Sequence, residues 1–316
     1  MTASRPTPGA IVSNEGIPMR STIFTVAAVC LVANAAAAQD GTLKKVQETG
    51  TITIGHRESS VPFSYYDDKQ QVVGYAMDLC YKIVDAVKKN LKRDKLEVKL
   101  QPVTSATRIP LIANGTVDLE CGSTTNNLER QKQVSFTITH FVTANRFVSK
   151  KSAKLKKLED LKGKTVVSTS GTTNIKQITE LNTEKNLGLN ILPAKDHAEA
   201  FLMVETGRAA AFVMDDILLY SLVASSKAPA DYEISADALS VEPYGIMLRK
   251  DDPAFKKVVD DAMTTIYKSG EVNKIYDKWF LKPIPPKSVN LNLPMGAAFK
   301  KVVAKPTDSG DPKDYQ

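Results

Sequence analysis

Between residues 51 and 225 the chain changes its hydrophobic period again and again. Thr51-Ile52-Thr53-Ile54 is a short β-branched run and reads as a strand. From Gly74 the apolar positions 76, 79, 80, 83, 84 and 87 recur every three or four residues, the stripe of an amphipathic helix. Leu96-Glu97-Val98-Lys99-Leu100 alternates as a second strand, and Arg108 to Asn114 reads as a helix stopped by Gly115. Thr116 to Cys121 alternates again, with Val117, Leu119 and Cys121 on one face, and a helix is expected from Leu128 onward. The same order then returns. Strands at 165–168, 191–192 and 210–214 are interleaved with helices at 173–181, 198–205 and 216–224. Strands separated by helices pair in parallel and are covered on both faces, so the pattern predicts an α/β chain with two such units.

Two stretches break the rhythm. Phe136 to Val148 is rich in Thr, Phe and Val without a helical stripe and reads as an extended connector; Ser240 to Leu248 is a second one. After it come helices over 253–268 and 271–280. Two extended crossings imply a chain that leaves the first lobe, builds the second and returns. The expected division is 39–140 plus 242–290 for lobe 1, 141–241 for lobe 2, and a C-terminal tail over 291–316. Lys282-Pro283-Ile284-Pro285-Pro286 excludes a helix there, and residues 302–316, being polar, are expected to be mobile.

The first residues follow a different logic. Met19-Arg20 is followed by the apolar run Ile23 to Ala33 and then by Ala36-x-Ala38, the form of a secretory leader with its cleavage site. Residues 1–38 are read as a signal peptide, with Met19 as an alternative start, and the mature chain as exported. Without residues 1–38 the chain loses Arg5, Arg20 and Glu15, which leaves 40 basic residues against 34 acidic ones, net +6. The lysines of 88–93 and 150–164 alternate with apolar and acidic residues, as on solvated helix faces. They lack the stacking or base-reading groups that nucleic-acid binding needs, and no nucleic-acid partner is expected. Cys80 and Cys121 survive cleavage. In an oxidising compartment they form a candidate disulfide, with two buried thiols as the alternative. Two cysteines without a His/Cys cluster make no metal site, and no cofactor is expected.

In open parallel sheets, ligands bind beyond the carboxyl ends of the strands. Those ends carry His56-Arg57-Glu58-Ser59-Ser60, Thr104-Ser105-Ala106-Thr107-Arg108, and Gly122-Ser123-Thr124-Thr125 with Arg130. In the second unit they carry Thr169-Ser170-Gly171-Thr172-Thr173, Lys195-Asp196-His197 and Asp215-Asp216. Singly these are ordinary: a Ser or Thr before a helix is most often a cap, and an exposed Arg pairs with a surface Glu for little gain. Together they set three arginines and several helix N-termini around one region, which suits an anion.

The runs Gly-His-Arg-Glu-Ser-Ser-Val-Pro-Phe-Ser-Tyr-Tyr (55–66), Thr-Ser-Ala-Thr-Arg-Ile-Pro-Leu (104–111), Glu-Cys-Gly-Ser-Thr-Thr-Asn-Asn (120–127), Ser-Gly-Thr-Thr (170–173), Ala-Lys-Asp-His (194–197) and Met-Asp-Asp (214–216) resemble the periplasmic glutamate/aspartate-binding proteins of bacterial ABC amino-acid importers, within solute-binding protein family 3. The likeness covers nearly all of residues 43–290. It implies a two-lobed periplasmic binding protein fold of type II, each lobe a mostly parallel sheet flanked by helices, closing like a flytrap at hinges near 138–144 and 238–244. It also implies roles. Arg130, Thr125 and Thr173 hold the ligand α-carboxylate, Ser123 and Asp215 the α-ammonium, and Arg57, Ser105, Arg108 and His197 the side-chain carboxylate. Arg57, Arg108, Arg130 and Asp215 sum to +2, against net −1 for glutamate.

The implied function is capture of L-glutamate or L-aspartate in the periplasm by a monomer that delivers it to a membrane permease, with no catalysis. An amino-acid sensor, or a dehydratase-like enzyme on the same fold using His197 and Glu58, is the alternative. Fold alone does not separate them.

Overall fold

The computed structural model describes residues 41–316, so the leader expected over 1–38 lies outside the described residues. Helix α1 (Thr42–Thr49) ends at Gly50, whose left-handed backbone (φ 69°) lets its N–H return to the Val46 carbonyl. Strand β1 (Thr51–His56) follows, then a small antiparallel sheet of β2 (Ser59–Ser60), β3 (Ser64–Tyr66) and β4 (Val72–Val73). Helix α2 (Tyr75–Asn90) buries the stripe expected of it, including Ala76, Leu79, Cys80, Ile83, Val84 and Val87. Strand β5 (Glu97–Pro102), helix α3 (Arg108–Ala113), and strands β6 (Leu119–Cys121) and β7 (Val134–Phe136) complete this part of the chain.

The second part begins with β8 (Phe141–Lys150) and continues as β9 (Thr165–Thr169), α4 (Thr173–Glu184), β10 (Asn190–Ala194), α5 (His197–Glu205), β11 (Ala211–Asp215), α6 (Asp216–Ser225) and β12 (Tyr232–Ile234). Strands β13 (Ser240–Tyr244) and β14 (Met247–Arg249) lead back to α7 (Pro253–Lys268) and α8 (Glu271–Phe280), and α9 (Ala297–Ala304) lies in the tail.

Two sheets result. The first runs β5-β1-β6-β14-β7, with β1 parallel to both β5 and β6. The second runs β10-β9-β11-β8-β12, with β9 parallel to β10 and β11, and β13 also pairing with β8. The two crossing segments lie side by side: β8 and β13 pair antiparallel from Phe141↔Tyr244 to Asn145↔Ser240. Cys80 of α2 and Cys121 at the end of β6 are joined by a disulfide, with their Cα atoms 6.3 Å apart.

Three expectations are corrected. Phe136 to Val148 is no mere connector, because eight of its residues and the two that follow form β8, an interior strand of the second sheet. No α-helix starts at Leu128. A single 3₁₀ turn (Arg130–Lys132) forms, with Asn127 Oδ1 accepting the Arg130 N–H at 2.8 Å, and the chain must be extended again by Val134 to join β7. The tail is not mobile but docked. Phe299, Val302 and Tyr315 are buried, the Thr139 N–H donates to the Thr307 carbonyl (2.9 Å), and Asn126 Nδ2 donates to the Asp308 carbonyl (2.9 Å). These few apolar anchors are too widely spaced among polar residues to show as a stripe.

The bridge between Cys80 and Cys121 closes a loop across 41 positions. Restricting such a loop in the unfolded chain contributes about 3–4 kcal/mol. Urea unfolding of Cys80→Ser/Cys121→Ser is expected to show a loss of that size against the oxidised parent. A loss below about 1 kcal/mol would mean that the bridge adds little beyond packing.

Candidate functional site

Each strand that points its carboxyl end into the gap between the sheets delivers polar residues just past its last position. Arg57 follows β1 directly, Ser105 and Arg108 follow β5, and Ser123, Thr125 and Arg130 follow β6. From the other side Thr173 opens α4 after β9, His197 opens α5 after β10, and Asp215 ends β11 and stands at the N-terminus of α6. Thr172 caps α4 by accepting from the Ile175 N–H, and Asp196 caps α5 by accepting from Glu199. These caps fix the first helical turns, and with them Thr173 and His197.

Ser105, Arg108, Ser123, Thr125, Thr173, Asn174, His197 and Asp215 line one narrow space between the two walls. Arg57 and Arg130 stand just behind it. Arg57 Nη2 donates to Ser105 Oγ at 2.9 Å. Arg130 spans the gap, its Nη1 donating to the Thr125 carbonyl (2.8 Å) and its Nη2 to the Gly171 carbonyl (3.2 Å). Thr125 and Thr173 meet hydroxyl to hydroxyl at 3.4 Å. All of the residues predicted for the site are buried except Thr173, which is partly so.

Burial dominates the electrostatics. Desolvation, and then the neighbouring Arg108 charge, pull both Arg57 and Arg130 down to about 10. Arg108 is lowered in the same direction, chiefly by burial. His197 is held well below its usual value by burial and by Arg57 and Arg108, so it stays neutral, its Nδ1 bonded to Thr169 Oγ1 at 2.9 Å. Asp215 is pushed up to about 7 by burial and by Glu242, while Tyr244 and Asn174 donate to its two oxygens.

Several buried polar atoms here have no hydrogen-bond partner: Arg57 Nη1, Arg108 Nε, Ser123 Oγ, Glu120 Oε1 and His197 Nε2. An orphaned buried group costs about 1–3 kcal/mol, more if charged. Their gathering around one space marks it as built for a polar ligand. Among the described residues no group of His, Cys, Asp or Glu is arranged to hold a metal ion, and no helix is long and apolar enough to cross a membrane.

Some members of the site were not singled out from sequence. Glu120 is fully buried beneath Arg108; Thr124 Oγ1 donates to it at 2.6 Å and receives Arg108 Nη1. Glu242 accepts from Thr173 Oγ1 (3.1 Å) and Gln177 Nε2 (2.6 Å). Tyr244 and Asn174 hold Asp215. Glu120 lies between Leu119 and Cys121 in an alternating run and passes for the solvent side of a strand. Its signal was the two apolar neighbours within so short a strand.

Residues 52–282 match the family described as bacterial extracellular solute-binding proteins, family 3. The chain belongs to that family. Among its relatives, the L-glutamate/L-aspartate-binding protein of Pseudomonas aeruginosa is 56% identical over 269 residues, covering 85% of this chain and 89% of the relative. The glutamate/aspartate import solute-binding protein of Escherichia coli is 50% identical over 275 residues, covering 87% and 91%. Among solved structures, a mutant of the arginine-binding protein of T. maritima superposes with a TM-score of 0.67 at 28% identity, covering 75% of this chain and 98% of that one. Such structural relatives are type II amino-acid-binding proteins, and this solute-binding protein shares their two sheet-containing lobes.

In this family member the walls meet at Gly171. Its φ is +76°, and a Cβ there would lie 2.6 Å from Ala106 Cα and 2.7 Å from the Ser105 carbonyl oxygen. Backbone cannot yield as a side chain tip would. Gly171→Ala is therefore expected to hold the walls apart, giving a larger radius of gyration by small-angle X-ray scattering than the parent under the same conditions. An unchanged radius would show that the contact at Gly171 does not limit the approach.

Proposed function

We propose that this chain captures L-glutamate or L-aspartate outside the cytoplasmic membrane and hands it, as a monomer, to the membrane permease of an ABC importer. Relatives at 50–56% identity bear the names of glutamate/aspartate-binding proteins. The observation that carries the reading is the gathering of three buried guanidiniums in and beside one narrow space, with Arg57 Nη1 and Arg108 Nε left to pair. Arginine binds carboxylate through charge-assisted, often paired hydrogen bonds. A neutral side chain leaves such cations buried and unpaired, which is costly, so the site favours an acidic amino acid over its amide.

The roles are those that the family resemblance implies, position by position. Arg130, Thr125 and Thr173 take the α-carboxylate, and Ser123 with Asp215 the α-ammonium. Arg57, Ser105, Arg108 and His197 take the side-chain carboxylate, the neutral imidazole offering an N–H rather than a second charge. The lobes are read as 39–140 with 242–290, and 141–241, hinged where β8 and β13 run together, with an N-terminal leader directing export to the periplasm. The site is read as a carrier and not a catalyst. The relatives at 50–56% identity bear the names of binding proteins, and in the site the Asp215 oxygens are engaged by Tyr244 and Asn174.

Two outcomes test the roles. Arg130→Ala is expected to weaken every amino acid by about 100-fold or more, because it leaves an α-carboxylate buried without its partner. Arg108→Ala is expected to weaken glutamate by a similar factor but glutamine by less than about tenfold, as read by titration calorimetry. Equal losses for both ligands would remove Arg108 from the side-chain subsite.

The pH dependence has a definite sign. The ligand ammonium favours ionised Asp215, whose pKa without that cation is pushed up to about 7. Binding therefore releases a proton near neutrality, and affinity falls as pH drops, by up to about tenfold per unit below pH 7. Calorimetry at pH 6, 7 and 8 in buffers of different ionisation enthalpy checks this; an affinity constant over that range would place the ammonium elsewhere.

A further inference from the structure

Beneath the proposed side-chain subsite lies a carboxylate to which the proposed roles assign no ligand contact. Glu120 is fully buried at the centre of β6. Its Oε2 accepts from Thr124 Oγ1 at 2.6 Å, and that hydroxyl receives Arg108 Nη1, so a chain of hydrogen bonds ties the carboxylate to the guanidinium. Its Oε1 lies 4.0 Å from Arg108 Nη1 and has no hydrogen-bond partner. The next turn of chain is shaped around it. A Cβ on Gly122 would lie 2.5 Å from Glu120 Oε1 and 2.9 Å from Arg57 Cγ, so the absence of a side chain at 122 lets the carboxylate and Arg57 share one small volume.

Resting on the reading of the site as an acidic amino-acid pocket, we propose that Glu120 is a specificity-determining counter-anion that sets the charge of the side-chain subsite to +1. Arg57 and Arg108 contribute two positive charges, Glu120 removes one, and neutral His197 adds none. One ligand carboxylate then completes the balance. Glu120 also opposes the desolvation of Arg57, Arg108 and Arg130, keeping these cations charged in the empty site. A buried arginine pair with no resident anion would hold an anionic ligand more tightly and release it more slowly. Glu120 thus tempers the preference for acid over amide rather than creating it.

The test is the ratio of glutamate to glutamine affinity in Glu120→Gln, which keeps an acceptor for Thr124 and removes the charge. With the resident anion gone the subsite carries +2, and the ratio is expected to rise by about tenfold over the parent, from interaction at an effective dielectric near 20. A residue that served only packing would lower both affinities and leave the ratio where it was. Glu120→Asp, which keeps the charge and loses the reach to Thr124, is expected to hold the parent ratio within about twofold while weakening both ligands. This second variant also decides the matter if Glu120→Gln does not fold: a ratio in Glu120→Asp that moves tenfold shows that charge is not the determinant. A ratio in Glu120→Gln that stays or falls overturns the inference alone. A parent protein that binds neither glutamate nor aspartate overturns both the inference and the reading on which it rests.

Discussion

Removing a guanidinium from water is expensive, and this chain does it three times within one site. Arg57, Arg108 and Arg130 are all buried, and burial is the largest influence on each. Much of the local architecture answers that demand. Ser105 and the carbonyls of Thr125, Gly171 and Ser123 accept their N–H groups, and Glu120 supplies a fixed opposite charge. What these partners leave unmet, Arg57 Nη1 and Arg108 Nε, fits the proposed place of an anion at the far end of an amino acid. Under the proposed roles, the same penalty that makes the site costly makes it selective, because a ligand lacking the side-chain carboxylate leaves Arg57 and Arg108 without an anionic partner from the ligand.

Such a site must also open. The gap between the sheets is crossed by the antiparallel pair β8 and β13, and residues that face the ligand space adjoin it on both sides. Asp215 pairs with Asn145 at the far end of that strand contact, and Tyr244, the last residue of β13, donates to the Asp215 carboxylate. The Thr125 backbone bridges to Tyr244 as well. The crossing is therefore bonded directly to groups proposed to hold the ammonium and the α-carboxylate. Behind it the tail braces the same region: Tyr315 reaches Thr139, and Asp308 receives Asn126 and Gln131. The proposed ligand contacts and the proposed hinge are thus linked through a few short hydrogen bonds.

The α/β order and the positions of the site residues were legible because both follow from local rules. Hydrophobic period separates β1 from α2, and strand ends in parallel sheets predict where Arg57, Ser105, Ser123, Thr173, His197 and Asp215 meet. What escaped depends on contacts distant in sequence. The helix expected at Leu128 gives way to a 3₁₀ turn because Asn126 and Gln131 are engaged by a tail about 180 residues away, at Asp308. The tail's docking rests on Phe299, Val302 and Tyr315, single anchors with no period. Glu120 looked like any polar residue on an alternating strand, and its two apolar neighbours in so short a strand are too slight a signal to tell a solvated carboxylate from one buried under two arginines.

The most direct test of the account is titration calorimetry of the mature protein, unfolded and refolded to remove any carried ligand, against all twenty amino acids. The account predicts tight binding of glutamate or aspartate, with neutral and basic amino acids weaker by about 100-fold or more. Tight binding of a neutral or basic amino acid would contradict it, because Arg57 and Arg108 would then not face the ligand.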